Sequence, residues 1–350
     1  MSAEERLKKA HLTLLIRVKS VLTPAQQQKL RQLRPEHLPG LGDDANQEEE
    51  HMGALHILTK VLPPLPILAC LIGCGTSNGA SGANLQSAAF GHKVFVAVGD
   101  GGEIITSSSG SSWNQQSSGV TVALLSVTYG GNKFVVVGNS GKSLVSSDGT
   151  SWSATTVSSD VSFLGVAYGD GLFVMVGDKG SIYTSTDGSG WTSQESGTTG
   201  DLRGITFGAS MFVAVGADGD ILTSADAASW SAATSGTTEA LADVHYGNGV
   251  YTVVGTKGTI LRSADAISWS TIETGISRDL NAISYAEGLF VVIGADGTIL
   301  TSSDAATFSQ RTSGTSENLR GIAFGNNVFV AVGFSGTILN SDDGITWAKA

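Results

Sequence analysis

Six aspartates recur at a fixed spacing of 39 residues, each in a short turn that ends in an aromatic residue. The turns read SSDGTSW, STDGSGW, SADAASW, SADAISW, SSDAATF and SDDGITW, and their aspartates are Asp148, Asp187, Asp226, Asp265, Asp304 and Asp343. A carboxylate in such a turn could bind calcium, act as a catalytic acid, or accept backbone N–H groups as in an Asx turn. We favour the structural role and predict no metal site, because six copies spread over a repeat array cannot all belong to one active site.

The same period governs the whole second part of the chain. A glycine follows an apolar run at Gly99, and copies of it recur every 39 residues as far as Gly333. Each repeat contains four short runs rich in β-branched and aromatic residues, bounded by Gly, Asp or Ser, which predicts four strands. Seven such repeats predict an all-β fold, a seven-bladed β-propeller over residues 85–350, in preference to a solenoid. We expect the first strand of each repeat to be innermost, and the ring to close without a shared strand.

The aspartate turns resemble the Asp-box of BNR-type propellers, although the usual Asp-box has one more residue between Asp and Trp. The whole repeat is similar to the propellers of the photosystem II assembly and stability factor family. This resemblance covers residues 85–350 and implies a binding or assembly role for the ring.

The first 51 residues differ in composition from the repeats. Residues 3–20 have the amphipathic spacing of a helix, and Thr23-Pro24 is typical of a helix start. The segment LTPAQQQKLRQLR resembles the LTxxQ motif of Spy/CpxP-like heavy-metal-resistance proteins, within residues 1–35. Residues 40–51 are acidic and polar. We therefore expect a helical extension followed by an acidic linker.

Residues 52–73 are typical of a signal peptide, with one lysine and an apolar run that is too short for a transmembrane helix. The segment Leu71-Ile72-Gly73-Cys74 resembles a bacterial lipobox, which implies that Cys74 is lipidated and becomes the mature N-terminus. Residues 74–84 are a Gly/Ser-rich tether. Because a lipoprotein signal belongs at the N-terminus, we expect Met52 to be the true start. The predicted location is the bacterial cell envelope, most simply the outer membrane, facing the periplasm or the cell surface.

The charge of the chain narrows the class of partner. From Cys74 onward there are 11 basic and 23 acidic side chains, which argues against nucleic acid and anionic lipid as ligands of the propeller. No cofactor is predicted, and the ring is expected to be monomeric. The sequence predicts a lipid-anchored, non-catalytic module that binds a protein or a glycan, or that assists assembly of an envelope complex.

The alternative is a sialidase-like glycan hydrolase, since BNR propellers include sialidases. Against it, the tyrosines occupy slots, that is, equivalent positions of the 39-residue repeat, that hold apolar residues in other repeats. The Arg-Ile-Pro motif of sialidases is also absent. His92 and His245 lie in different repeats without metal-ligand spacing.

Residues that vary between repeats mark the predicted binding site. Arg203 and Arg320 are the second residues of two inner strands, where other repeats hold Gln, Leu, Ala or Asn. Both should lie near the centre of the face that carries the second-to-third-strand turns and the connections between blades. Around them we expect Asp201, Glu239, Asp243, Arg278, Asp279, Glu317 and Asn318. Two arginines within an acidic rim could bind a carboxylate or a charged partner.

Overall fold

The local sequence of each repeat folds into two tight hairpins and one wider turn. In the fourth repeat, β13 (Leu202–Gly208) and β14 (Met211–Gly216) form the first hairpin. The turn from β14 to β15 (Ile221–Ser224) has φ of 55° at Asp218 and 78° at Gly219, and the amide of Asp220 donates to the carbonyl of Ala217 at 2.9 Å. Two positive φ values in succession match the right-handed twist of the strands, which is why a glycine closes this turn in every repeat.

The computed structural model describes residues 82–350. The predicted helical extension, the signal peptide and Cys74 lie outside the described residues. The first strands of the blades are β1 (Leu85–Gly91), β5 (Leu124–Gly130), β9 (Phe163–Gly169), β13, β17 (Leu241–Gly247), β21 (Leu280–Ala286) and β25 (Leu319–Gly325). The second strands are β2 (Val94–Gly99), β6 (Lys133–Gly138), β10 (Leu172–Gly177), β14, β18 (Val250–Gly255), β22 (Leu289–Gly294) and β26 (Val328–Gly333).

The third strands are β3 (Ile104–Ser107), β7 (Lys142–Ser146), β11 (Ile182–Ser185), β15, β19 (Ile260–Ser263), β23 (Ile299–Ser302) and β27 (Ile338–Ser341). The fourth strands are β4 (Asn114–Gln116), β8 (Ser153–Thr156), β12 (Thr192–Gln194), β16 (Ser231–Ala233), β20 (Ser270–Thr271), β24 (Ser309–Arg311) and β28 (Ala348–Lys349). One-turn 3-10 segments lie between the second and third strands at Asp100–Gly102, Asp178–Gly180, Ala217–Gly219, Thr256–Gly258, Ala295–Gly297 and Phe334–Gly336.

The described residues form a seven-bladed β-propeller, as the repeat predicts. Each blade is one antiparallel sheet whose four strands are hydrogen-bonded in chain order. The first strands line a central channel, so they are innermost. The fourth strands are short and largely exposed, so they form the outer edge of the ring.

The hydrophobic core is divided among the seven interfaces between blades. At the interface of blades 3 and 4, for example, Val174 and Val176 pack with Leu202 and Phe212. The aromatic residue of each second strand is at most 1% exposed, whereas the tryptophans that follow the aspartate turns are only partly buried. The second-strand aromatic residues are therefore the more completely buried of the two sets.

Within residues 82–350, the ring closes by packing blade 7 against blade 1, and no strand is exchanged between the two blades. Phe95 of blade 1 shares a core with Val330 of blade 7. The amide of Gly336 donates to the carbonyl of Ala83 at 3.0 Å, and Asn326 Nδ2 donates to the carbonyl of Ser108 at 2.8 Å. This confirms the predicted mode of closure.

Candidate functional site

The two faces of the ring carry different turns. The face that we call the linker face is formed by the second-to-third-strand turns, such as 217–219, and by the connections between blades, such as 234–240. The opposite face, the Asp-turn face, carries the third-to-fourth-strand turns and the hairpin turns between first and second strands. An axial channel of about 890 Å³ runs between the inner strands of all seven blades.

On the Asp-turn face the repeated aspartates are held by their own turns. Asp226 Oδ1 accepts the amides of Ala228 at 2.9 Å and Ser229 at 2.7 Å, and the Ser224 hydroxyl donates to the same oxygen at 3.0 Å. The amides of Ser229 and Ala228 and the Ser224 hydroxyl lower the pKa of Asp226 to about 2. The copies at Asp265, Asp304 and Asp343 behave alike, and backbone amides also lower the pKa of Asp148 and Asp187.

The six aspartate carboxylates are hydrogen-bonded within their own turns. Among residues 82–350, no three His, Cys, Asp or Glu side chains are grouped so as to hold a metal ion. In blade 1, where Ser109 replaces the aspartate, its hydroxyl oxygen accepts the amide of Ser111 at 3.3 Å. The repeated aspartates of the Asp-turn face therefore have a structural role.

The linker-face mouth of the channel holds the two predicted arginines. Arg203 in β13 and Arg320 in β25 are both exposed and both line the channel. Within the described residues Arg203 has no hydrogen bond or ion pair. Arg320 Nη1 donates to Asn281 Oδ1 at 3.4 Å, and its guanidinium carbon lies 5.0 Å from the centre of the Phe334 ring.

The charges at this mouth are mixed, because Asp201 and Asp279 line the channel together with the two arginines. Burial lowers the pKa of the Arg320 guanidinium, Asp279 and Asp100 oppose that shift, and the positive charge of Arg203 adds to it. Because guanidinium groups remain charged at neutral pH, the two side chains repel each other across the mouth. A carboxylate placed between them would relieve this repulsion and could bind both groups through paired hydrogen bonds.

Three of the predicted rim residues act as clasps between blades. Asp201, Asp279 and Asn318 directly precede inner strands, and their Oδ1 atoms accept the amides of Lys179, Lys257 and Asp296 in the preceding blade, at 3.0, 3.0 and 3.1 Å. Asn84 makes the same bond to Ser335 at 3.1 Å, across the closure of the ring. Sequence comparison of the repeats could have found this role, because the slot is acidic or amide-bearing in four of seven blades.

The other charged rim residues are engaged with neighbours away from the channel. Glu239 Oε1 pairs with Lys257 Nζ at 2.8 Å, and the hydrogen bond from Lys257 lowers the pKa of Glu239. Arg278 Nε pairs with Asp296 Oδ2 at 2.8 Å, and Glu317 Oε2 accepts the Ser335 hydroxyl at 3.2 Å. None of these three predicted residues lines the channel, whereas Asp201 and Asp279 do.

Asp243 lies inside the channel wall, deeper than the rim position expected from the sequence. It is the third residue of β17, and its carboxylate accepts the amides of Val244 at 2.9 Å and Ile283 at 3.0 Å. Burial raises the pKa of Asp243 to about 7, although the two amides act in the opposite direction. His245, two residues further along β17, also lines the channel, and burial lowers its pKa to about 4. From the sequence, His245 is weighed only as a metal ligand, and the structure places it two residues after Asp243 on the same strand.

Comparison with known proteins agrees with this architecture. The DUF6242 beta propeller domain family matches residues 75–202. No curated protein matches the chain. Among solved structures, "YCF48 bound to D1 peptide" superposes with a TM-score of 0.61 at 19% identity, covering 77% of this chain and 94% of that one. The chain is a seven-bladed propeller similar to YCF48.

A second solved structure extends this similarity. YCF48 from Cyanidioschyzon merolae superposes with a TM-score of 0.60 at 17% identity, covering 74% of this chain and 95% of that one. At these identities the likeness to YCF48 establishes the fold, and the chemistry of the site rests on the residues described above.

No helix within residues 82–350 is long and apolar enough to cross a membrane.

Proposed function

We propose that this protein is a non-catalytic binding module that holds an acidic segment of a partner protein over the channel mouth on the linker face. The observation that carries this proposal is the unpaired Arg203 facing Arg320 across that mouth. Both side chains depart from the repeat, so the propeller does not need them for folding. A similar propeller, YCF48, has been solved with a D1 peptide bound, which supports a protein segment as the class of ligand.

We further propose that the ring works at the bacterial cell envelope, anchored by a lipidated Cys74. This part rests on the lipobox resemblance and the Gly/Ser-rich tether, both outside the described residues. Expressed from Met52, the protein should partition into detergent and incorporate labelled palmitate, and Cys74→Ser should abolish both. Soluble, unlabelled protein would contradict the anchor and leave the binding proposal intact.

The binding site is tested by exchanging residues between equivalent slots. The double variant Arg203→Leu with Arg320→Ala uses side chains that the same slot holds at Leu125, Leu164 and Ala242, so the fold should accept it. The matched control, Lys93→Ala with Lys133→Ala, removes the same charge from the Asp-turn face. Wild type, variant and control are used as baits against solubilised membranes of the source organism, and captured proteins are quantified by mass spectrometry.

A partner captured by wild type and control, and depleted at least tenfold by the arginine variant, is the expected result. Equal capture by the arginine variant, or loss on the control alone, would contradict the proposed site. Turnover of chromogenic glycosides or sialosides by the wild type would contradict the non-catalytic assignment.

A further inference from the structure

Beyond the arginine mouth, blade 5 places an acid and an imidazole on the channel wall. We propose that Asp243 and His245 form a binding site for a primary ammonium group inside the axial channel. The proposal does not depend on what binds the arginines. Because strands rise about 3.3 Å per residue, His245 lies about 10 Å further along the channel than the second-residue slot of Arg203 and Arg320.

The carboxylate of Asp243 keeps capacity for a donor. Each oxygen accepts one backbone amide, from Val244 or from Ile283, whereas an ionised carboxylate offers about four acceptor positions. No cationic side chain within residues 82–350 pairs with this carboxylate. Because burial raises the pKa of Asp243 to about 7, part of the population is protonated near neutral pH, and a bound cation would favour the ionised form.

His245 supplies a second acceptor. Its imidazole has no hydrogen-bond partner among the described residues, and with a pKa of about 4 it is neutral near pH 7. A neutral imidazole presents one acceptor nitrogen. Carboxylate and imidazole together can accept from an ammonium group, which carries three N–H donors, whereas the carboxylate disfavours an anion.

The repeat shows that the fold requires neither group. The slot of Asp243 holds Ser, Gly or Ala in the other blades, and that of His245 holds Ala, Thr or Ser. Ser87 and Ser126 occupy the slot of Asp243 and accept the amide of the next blade at 3.3 Å, as Asp243 does from Ile283. A hydroxyl is therefore sufficient for the hydrogen bond to the next blade, and that bond does not require the negative charge of Asp243.

The polarity of blade 5 extends outward from the channel. His245 pairs in register with Thr252, which pairs with Arg262, so the three side chains share one face of the sheet. Thr252 is fully buried, its hydroxyl has no protein partner, and every other blade holds valine in that slot. An unpartnered buried hydroxyl directly opposite an unpartnered imidazole is unfavourable unless a further polar group completes the set. Within this polar row only His245 lines the channel, so it is the group that a ligand there could reach.

The remaining wall is mixed in polarity. The inner strands contribute small side chains such as Ser87, Ala89, Ser126 and Thr128, and aromatic rings such as Phe90. The source of the ammonium group is either a lysine side chain of a protein or a free alkylamine, and the probes below separate the two.

The test is an NMR titration of the full chain with histidine carbons labelled, in which His245→Thr assigns the His245 signal. Four probes are added: butylammonium, a blocked lysine (N-acetyl-lysine methylamide), tetramethylammonium, which has no N–H donor, and butylguanidinium. We expect saturable shifts of the His245 signal with butylammonium or blocked lysine, and weaker effects of the other two. Tighter binding of blocked lysine indicates a protein side chain, and equal or weaker binding indicates a free amine.

Each variant replaces a residue with the one that occupies the equivalent position in another blade. Asp243→Ser keeps the bond to the next blade and should weaken ammonium binding about tenfold, the usual weight of one charged hydrogen bond. The control Asp201→Asn removes equal charge at the mouth, keeps an acceptor of the kind found at Asn84 and Asn318, and should bind as wild type does. Absence of any shift with both amines, equal binding by Asp243→Ser, or preference for butylguanidinium would each overturn the proposal.

Discussion

At the scale of single residues, the repeated aspartates show how one side chain can be conspicuous in sequence and still be structural. Each carboxylate bonds two amides of its own turn and a serine hydroxyl, as at Asp226. The sequence allows calcium, a catalytic acid or an Asx-type turn, and the six repeated copies favour the turn. The hydrogen bonds show what the six carboxylates contact, and the lowered pKa values follow from those contacts.

The aspartate turns predict a loss of stability in acid. The pKa is about 2 at Asp226, Asp265, Asp304 and Asp343, below the value of about 3.9 for an unfolded aspartate. The unfolded chain therefore binds protons first, so the stabilisation is complete above about pH 4 and is lost as pH falls towards about 2. The urea concentration at the unfolding midpoint should therefore decrease as the pH is lowered from about 4 to about 2.

A single substitution isolates the contribution of one turn. Asp226→Ser copies Ser109 of blade 1, so it should fold, have a lower melting temperature near neutral pH, and lose less stability in acid than the wild type. Calcium should not restore it. A melting temperature that rises with calcium in the wild type would indicate a metal role for these turns.

At the scale of elements, a recurring steric constraint lies where the inner strands of neighbouring blades meet. A Cβ added to Gly247 at the end of β17 would lie 2.3 Å from Cγ of Tyr285 in the next blade. The same approach occurs at Gly91, Gly130, Gly169, Gly208 and Gly325. Only blade 6 departs from this pattern, with Ala286 packed near Phe324.

Gly247→Ala should therefore destabilise the ring without unfolding it. Repacking of Tyr285 should cost about 1–3 kcal/mol, the usual penalty for overpacking a core. Gly190→Ala is the control, because a Cβ there meets nothing within 4 Å. Urea denaturation of both variants gives the difference in their free energies of unfolding. Equal stability would show that Tyr285 moves at no cost, which would contradict the prediction.

The sequence predicts those features of the fold and of the candidate site that recur in every repeat, and it does not predict those that occur in one blade only. The strands, the turn glycines such as Gly219 and the aromatic slots recur every 39 residues, so the period predicts them, and the structure confirms them. The depth of Asp243 and its proximity to His245 depend on one blade, where period carries no information. Asp201 and Asp279 were expected as ligands because they are charged, yet each uses an oxygen to clasp the preceding blade.

At the scale of the whole molecule, seven equivalent blades form a ring, and the residues that differ between blades and are considered as ligand contacts lie around its axis. Each interface buries the same apolar slots, and the closure between blades 7 and 1 follows the same plan as the others. A ring of this kind can vary the residues at its channel without altering its core. The arginine mouth and the polar wall of blade 5 are such variations.

We propose that a partner protein docks on the linker face. Site-specific photocrosslinking tests this docking, with benzoylphenylalanine placed at Thr238, an exposed residue of that face, or at Ile267, which is 63% exposed on the Asp-turn face. We predict that crosslinked partner forms from position 238, is absent from position 267, and disappears when Arg203→Leu and Arg320→Ala are added. Crosslinking from position 267 alone, or from position 238 with undiminished yield in the arginine variant, would contradict the claim.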